Sequence, residues 1–171
     1  MADPSAPALR VEPLSDGHDR TAFTCGVEAL DRYLRVQAGQ DVRKRVATCF
    51  VLVAKGDPIP RGYYTLAAST VGLTDLPPAQ ARRLPRYPLV PAALMGRLAV
   101  ASAHRGRRLG ERLLLDALGR ALRSEIATFA FVVDAKDGIA AAFYARYGFL
   151  PLTRDRRRLF IPMAEVAKLF A

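Results

Sequence analysis

The richest chemistry in this sequence lies between residues 97 and 118, where RLAV-ASAH-RGRRLG-ERLLLDAL runs. An apolar strand, a loop of glycine and arginine, and the start of an amphipathic helix follow without a gap. That order can cradle a phosphate. Gly106 and Gly110 permit close backbone approach and dihedrals closed to other residues. The N–H groups of a first helical turn face an anion, with the helix dipole behind them. Arg105, Arg107 and Arg108 bring charge to the same end. A basic first turn is unfavourable for a helix unless an anion sits there. The bland alternative is a tight turn with solvated arginines. The loop lacks Gly-Lys-Ser/Thr and GxGxxG, so it is neither a Walker loop nor a dinucleotide fingerprint.

Other residues carry weaker signals. Phe143-Tyr144-Ala145-Arg146-Tyr147-Gly148-Phe149 follows a strand ending in Asp134. Taken alone, Tyr144 reads as a core aromatic near a helix end. Asp134, Lys136 and Asp137 close a strand at an end where ligands collect in α/β sheets. Lys136 could reach a phosphate; Asp134 reads more simply as the cap of the next helix. His104 is expected in an exposed loop. Cys25 and Cys49 have no metal spacing and read as small buried hydrophobes. With two histidines, no metal site is expected.

These residues must be positioned by about one domain's worth of chain. The 171 residues are 51% hydrophobic and 25% charged, a globular composition, read as a single domain over 1–171. The β-branched run Val46–Ala54 predicts a buried strand, and Arg61–Ser69 its hairpin partner across Gly56-Asp57-Pro58. A short strand is expected over Ala8–Leu14. Spacings of three and four predict helices over Gly26–Gln37 and Gln37–Arg45. Residues 72–91 read as a proline-rich loop holding a short helix, Pro78–Leu84. Strands are expected over Leu94–Val100 and Phe129–Asp134. A leucine-rich helix from Leu109 lies between them. An alanine-rich helix, Ile139–Tyr147, closes on Gly148. The strand pair Leu150–Thr153 and Arg158–Ile161 precedes a last helix, Met163–Phe170. The alternation predicts an α/β fold, a mixed sheet with helices on both faces.

The charge balance points to a polyanion. Lys and Arg number 26 against 16 Asp and Glu, for a net charge of +10. Only Lys44, Lys55, Lys136 and Lys168 are lysine; arginine, the rest, favours bidentate phosphate contact. No apolar run reaches membrane-spanning length, and the acidic N-terminus lacks a secretion pattern, so a cytoplasmic location is expected.

The strand, R-G-x-x-x-G loop, helix, strand and A-x-x-F-Y-x-x-x-G-F together resemble the Gcn5-related N-acetyltransferase (GNAT) superfamily over about residues 46–161. The resemblance implies acetyl-CoA as cofactor. It implies pantetheine contacts at Leu98, Ala99 and Val100. It implies a pyrophosphate loop of Arg105, Gly106, Arg107, Arg108, Leu109 and Gly110. It also implies that Tyr144 lies beside the thioester sulfur as general acid. Arg108 stands where the superfamily loop usually has its first glycine.

A narrower resemblance covers nearly the whole chain. F-x-C-G-x-x-x-L-D-x-Y-L near the N-terminus and R-L-P-R-Y-P before the central strand are similar to acetyltransferase toxins of type II toxin–antitoxin modules. It implies acetylation of the α-amine of aminoacyl-tRNA, which stops translation. It implies an antitoxin partner, usually of ribbon-helix-helix type, and a homodimer. Arg43-Lys44-Arg45, Arg82-Arg83-Arg86 and Arg154-Arg156-Arg157-Arg158 then read as RNA contacts; separately, each also reads as a solvated face. Arg43, Lys44, Arg45, Arg82, Arg83, Arg86 and Lys136 are the candidate tRNA-binding residues. An α-amine is far less basic than a lysine, which suits a sequence with no obvious catalytic His or Glu. Two alternatives stand beside this reading. One is an acetyltransferase of protein N-termini or small amines. The other is a non-catalytic nucleic-acid-binding module on the same scaffold.

Overall fold

TCFVLVA forms strand β2 (Thr48–Ala54) because its side chains are apolar on both faces, as a central strand requires. Val51 through Ala54 are all buried. β1 (Leu9–Pro13) pairs antiparallel on one side, Leu9 opposite Ala54 and Pro13 opposite Phe50. β3 (Gly62–Gly72) pairs antiparallel on the other, Thr48 opposite Leu66 and Leu52 opposite Gly62. Gly56, at φ +79°, makes the connecting turn.

β4 (Leu89–Val100) and β5 (Ala130–Asp134) run parallel, Ala92 opposite Ala130 and Met95 opposite Val133. β7 (Arg158–Pro162) pairs antiparallel with β5 and with the two-residue β6 (Leu150–Pro151). The result is one mixed seven-stranded sheet in the order β1-β2-β3-β4-β5-β7-β6. The computed structural model describes residues 3–171. The chain divides into two compact units, Met1–Leu66 with Arg97–Asp116, and Ala67–Gly96 with Ala117–Ala171.

In the first unit, α1 (Glu28–Arg32), a π-helical turn (Tyr33–Gln37) and α2 (Ala38–Arg43) follow one another. Adjacent tyrosines on β3 show how this unit is layered. The Tyr63 hydroxyl donates to the Leu30 carbonyl of α1 at 2.6 Å. The Tyr64 hydroxyl bonds Asp116 of α4 (Leu109–Leu122) at 2.5 Å. Neighbouring strand residues point to opposite faces, so helices cover both faces, as expected. Both tyrosines are fully buried; neither opens onto a cleft.

In the second unit, Val71, Val90, Ala92, Val132 and Phe160 share a core cluster with Leu76 and Leu152. Phe131 points the other way and meets Phe149 edge-on at 6.2 Å, next to α5 (Gly138–Ala145). α6 (Met163–Leu169) buries Val166.

Several boundaries differ from expectation. β4 starts at Leu89, ahead of the expected Leu94. Pro91 lacks an N–H, but its carbonyl accepts from Phe129 at 2.8 Å, so the strand runs through it. The short helix α3 spans only Pro78–Ala81. The expected helix Gly26–Gln37 contains the π-helical turn, which periodicity alone does not reveal.

Candidate functional site

The strand-to-helix loop begins where β4 ends. The Ala101 N–H donates to the Arg61 carbonyl at 2.9 Å, and a single 3-10 turn, Ser102–His104, follows. Gly106 has φ +77° and Arg108 φ +58°. A Cβ on Gly106 would meet nothing within 4 Å, so the backbone there is open to a ligand. The Arg108 carbonyl accepts from Arg112 N–H at 3.1 Å, the first bond of α4. The amides of Leu109, Gly110 and Glu111 precede that bond, so the helix itself leaves them unpaired. Two left-handed residues followed by open amides form a concave anion-binding backbone. Arg107 and Arg108 are exposed beside it. The loop therefore fits a pyrophosphate.

Each arginine of the loop has its own placement. Arg105 is exposed, yet its guanidinium is tied down, donating to the Cys25 carbonyl. A Cβ on Gly26 would come within 2.7 Å of the same guanidinium. Arg105 thus ties the loop to the N-terminal segment. Arg107 Nη1 lies 3.4 Å from His104 Nδ1. Arg108 pairs loosely with Glu111 at 3.6 Å. His104 is half-buried in the 3-10 turn, not in the exposed loop expected. Burial holds its pKa below the usual 6.5, and the cations Arg61 and Arg107 lower it further. Arg61, not anticipated from sequence, has its Nε buried without a hydrogen-bond partner.

The N-terminal motif is a packing device. Phe23, Cys25, Asp31, Tyr33 and Leu34 are buried. Asp31 Oδ1 accepts from Cys25 N–H at 2.8 Å, Arg35 donates to the Phe23 carbonyl at 3.0 Å, and Gly26 has φ +88°. Cys49 is buried in β2, and burial pushes its thiol up to about 12. It is no nucleophile. On β4, Ala99 is buried while Leu98 and Val100 are half-buried.

Tyr144 lies on α5, whose N-terminus is capped by Asp137 Oδ1 accepting from Ala140 N–H at 2.8 Å. Asp134 does not cap this helix; both its oxygens receive Arg158, at 2.9 and 3.2 Å. Tyr144 is 6% exposed, its ring between Phe143 at 5.2 Å and Phe149 at 5.5 Å. Burial, then the Asp134 charge, raises its pKa well above that of a free phenol. The hydroxyl therefore keeps its proton near neutrality and has it available to donate.

The basic clusters divide. Arg43, Lys44 and Arg45 are exposed at the C-terminus of α2, with Arg45 left-handed at φ +61°. Cations also suit a helix C-terminus. Arg82, Arg83, Arg86 and Lys136 are exposed, and within R-L-P-R-Y-P only Leu84 packs against the core. Arg154 pairs with Asp75 at 3.3 Å, as Arg158 does with Asp134, so that third cluster is partly neutralised. No group of metal-binding side chains occurs among the described residues. No helix among them is long and apolar enough to cross a membrane.

Three comparisons place these features among known proteins. The acetyltransferase (GNAT) domain family matches residues 46–151. A tRNA-acetylating toxin of Mycobacterium tuberculosis is 35% identical over 158 residues, covering 91% of this chain and 93% of that protein. Among solved structures, AtaT complexed with acetyl-methionyl-tRNAfMet aligns at TM-score 0.88 and 27% identity, over 96% of this chain and 100% of that one. A tyrosine-to-phenylalanine variant of AtaT, bound to acetyl-CoA and the C-terminus of the antitoxin AtaR, aligns at TM-score 0.81 and 25% identity, over 95% and 98%.

Proposed function

The chain belongs to the GNAT acetyltransferases, and we propose that it is a toxin enzyme that transfers an acetyl group from acetyl-CoA to the α-amine of aminoacyl-tRNA, blocking translation. The observation that carries this reading is the extent of the likeness to the tRNA-acetylating toxin. At 91% of the chain, it includes the N-terminal motif outside the shared GNAT domain. Both units serve one acetyltransferase domain over residues 1–171.

In this reading the backbone of Leu98, Ala99 and Val100 lies along the pantetheine arm. Strand N–H groups polarise the thioester carbonyl. The loop from Arg105 to Gly110 holds the pyrophosphate through its amides, with charge from Arg107 and Arg108. Esterification lowers the α-amine below the roughly 7.7–8.0 of a peptide terminus, so a large fraction is free near neutrality and attacks without a dedicated base. A carbon–nitrogen bond forms and the carbon–sulfur bond breaks. Tyr144 donates its proton to the departing sulfur and regains one from the acylated nitrogen. That exchange suits a phenol whose raised pKa forbids it to remain ionised. Arg43, Lys44, Arg45, Arg82, Arg83, Arg86 and Lys136 contact tRNA phosphates.

The reading extends to partners and place. A cognate antitoxin of ribbon-helix-helix type neutralises the enzyme, which works in the cytoplasm as a homodimer.

The test is acetyl transfer from labelled acetyl-CoA to a pool of charged tRNA, native chain against Tyr144→Phe. Label should appear as N-acetyl-aminoacyl-tRNA and fall about 10²- to 10⁴-fold in the variant, the range for a lost general acid. Acetyl-CoA binding without any label on tRNA would refute the acceptor and direct the search to protein N-termini and small amines.

A further inference from the structure

Arg97 is a cation the fold has prepared and the donor site does not use. It lies on β4 immediately before Leu98. Strand alternation puts it on the same face as Ala99, which packs with Tyr33, Leu34 and Tyr63. Its guanidinium carbon sits 3.6 Å from the centre of the Tyr33 ring. That ring is held elsewhere too. Its hydroxyl donates to Asp41 Oδ2 at 2.8 Å, and Gln37 donates to Asp41 Oδ1 at 2.9 Å. Tyr63 lies nearly parallel to it at 6.3 Å. Tyr33 and Gln37 bound the π-helical turn, a costly irregularity that recurs at functional sites.

Arg97 is half-buried and, among the described residues, has neither an ion-pair nor a hydrogen-bond partner. A guanidinium stacked on a ring keeps its donors in one plane, shaped for two oxygens of a single anion. The pyrophosphate of the donor does not suit it. Three strand residues separate Arg97 from Ala101, four steps or about 13 Å of extended chain before the loop begins.

We propose that Arg97, stacked on Tyr33, binds the acceptor by a bidentate contact to the 3′-terminal phosphodiester of the charged tRNA. The proposal rests on the acceptor assigned above. Arg97 is then the residue that seats the amine, and the Tyr33–Asp41–Gln37 chain fixes the plane of its guanidinium.

The test uses charged tRNA with its 3′-terminal linkage either natural or a neutral methylphosphonate. Native chain, Arg97→Met and Arg97→Lys are compared by initial rates. On natural tRNA, Arg97→Met should lower kcat/KM by about ten- to hundredfold, mostly through KM, as for a lost charge-assisted contact. The neutral linkage should cost the native chain a similar factor and cost Arg97→Met nothing more. Arg97→Lys, which keeps the charge, should recover part of the loss. Unchanged acetyl-CoA affinity in both variants is expected, and its loss in both would overturn the proposal in favour of a structural role. Losses that multiply would also overturn it, as would unimpaired Arg97→Met. A native chain inactive on natural charged tRNA would overturn the acceptor reading itself, a distinguishable result.

Discussion

Gly62→Ala should damage donor binding without replacing any residue assigned to the donor. Gly62 is buried at the start of β3. A Cβ there would lie 2.8 Å from the Ala99 carbonyl oxygen and 2.8 Å from Leu113 Cδ1. The first is backbone in the centre of a sheet; the second is a fully buried side chain. Neither yields freely. Overpacking of this kind costs roughly 1–3 kcal/mol, and the stiffer unfolded chain returns about 0.4–1 kcal/mol. A net loss of about 1–2 kcal/mol lowers Tm by roughly 2–8 °C in a chain of this length. The displaced group is the carbonyl of Ala99, inside the segment assigned to pantetheine. Acetyl-CoA affinity should therefore fall well below that of a control equally destabilised at a distance. Thermal unfolding and equilibrium titration with acetyl-CoA check both parts. A Gly62→Ala chain with native Tm and native affinity would refute the close-packing argument. A lowered Tm with native affinity would refute the assignment of the strand.

Three further outcomes follow from the same geometry. Asp31→Ala leaves the buried Cys25 N–H without its acceptor, costing about 1–3 kcal/mol in denaturant unfolding, whereas Asp31→Asn keeps an oxygen there and costs less. Arg108→Gly removes the left-handed penalty of about 1–2 kcal/mol, partly offset by the greater freedom of unfolded glycine, so it should melt above Arg108→Ala; an alanine variant at least as stable would refute strain at Arg108. His104 has a folded pKa below its unfolded value, so the unfolded chain binds the extra proton. Stability should then rise as pH climbs through the interval just under 6.5 and level off above it. His104→Gln should flatten that segment of a stability–pH curve; an unchanged curve would remove His104 as its source.

Local pattern made the strand, loop and helix around residues 97–118 legible because apolar runs, glycines and helical periodicity are read within a few residues. The same holds for Gly148, found at φ +97° after α5. What escaped depends on residues far apart in sequence. Arg105 reads as a loop cation, yet its partner is a carbonyl 80 residues away. Asp134 reads as a cap, but the arginine it pairs with lies 24 residues on, and the nearer Asp137 caps instead. The Arg97–Tyr33 stack joins two elements with no shared local signal. The π-helical turn escapes a periodicity argument that assumes 3.6 residues per turn throughout. The N-terminal motif was recognisable as a pattern, while its physical role, buried hydrogen bonds around Cys25 and Asp31, is visible only in three dimensions.

The contact between Arg105 and the Cys25 carbonyl has a consequence for how the chain comes to be active. A loop closed across 80 residues must meet its entropic cost before any gain from the contact appears. Such long-range closures slow folding relative to local ones. During synthesis the N-terminal segment emerges first and waits for its arginine, so an unfinished chain holds no complete cradle. A chain still short of Arg105 therefore lacks this tie between its N-terminal segment and the loop.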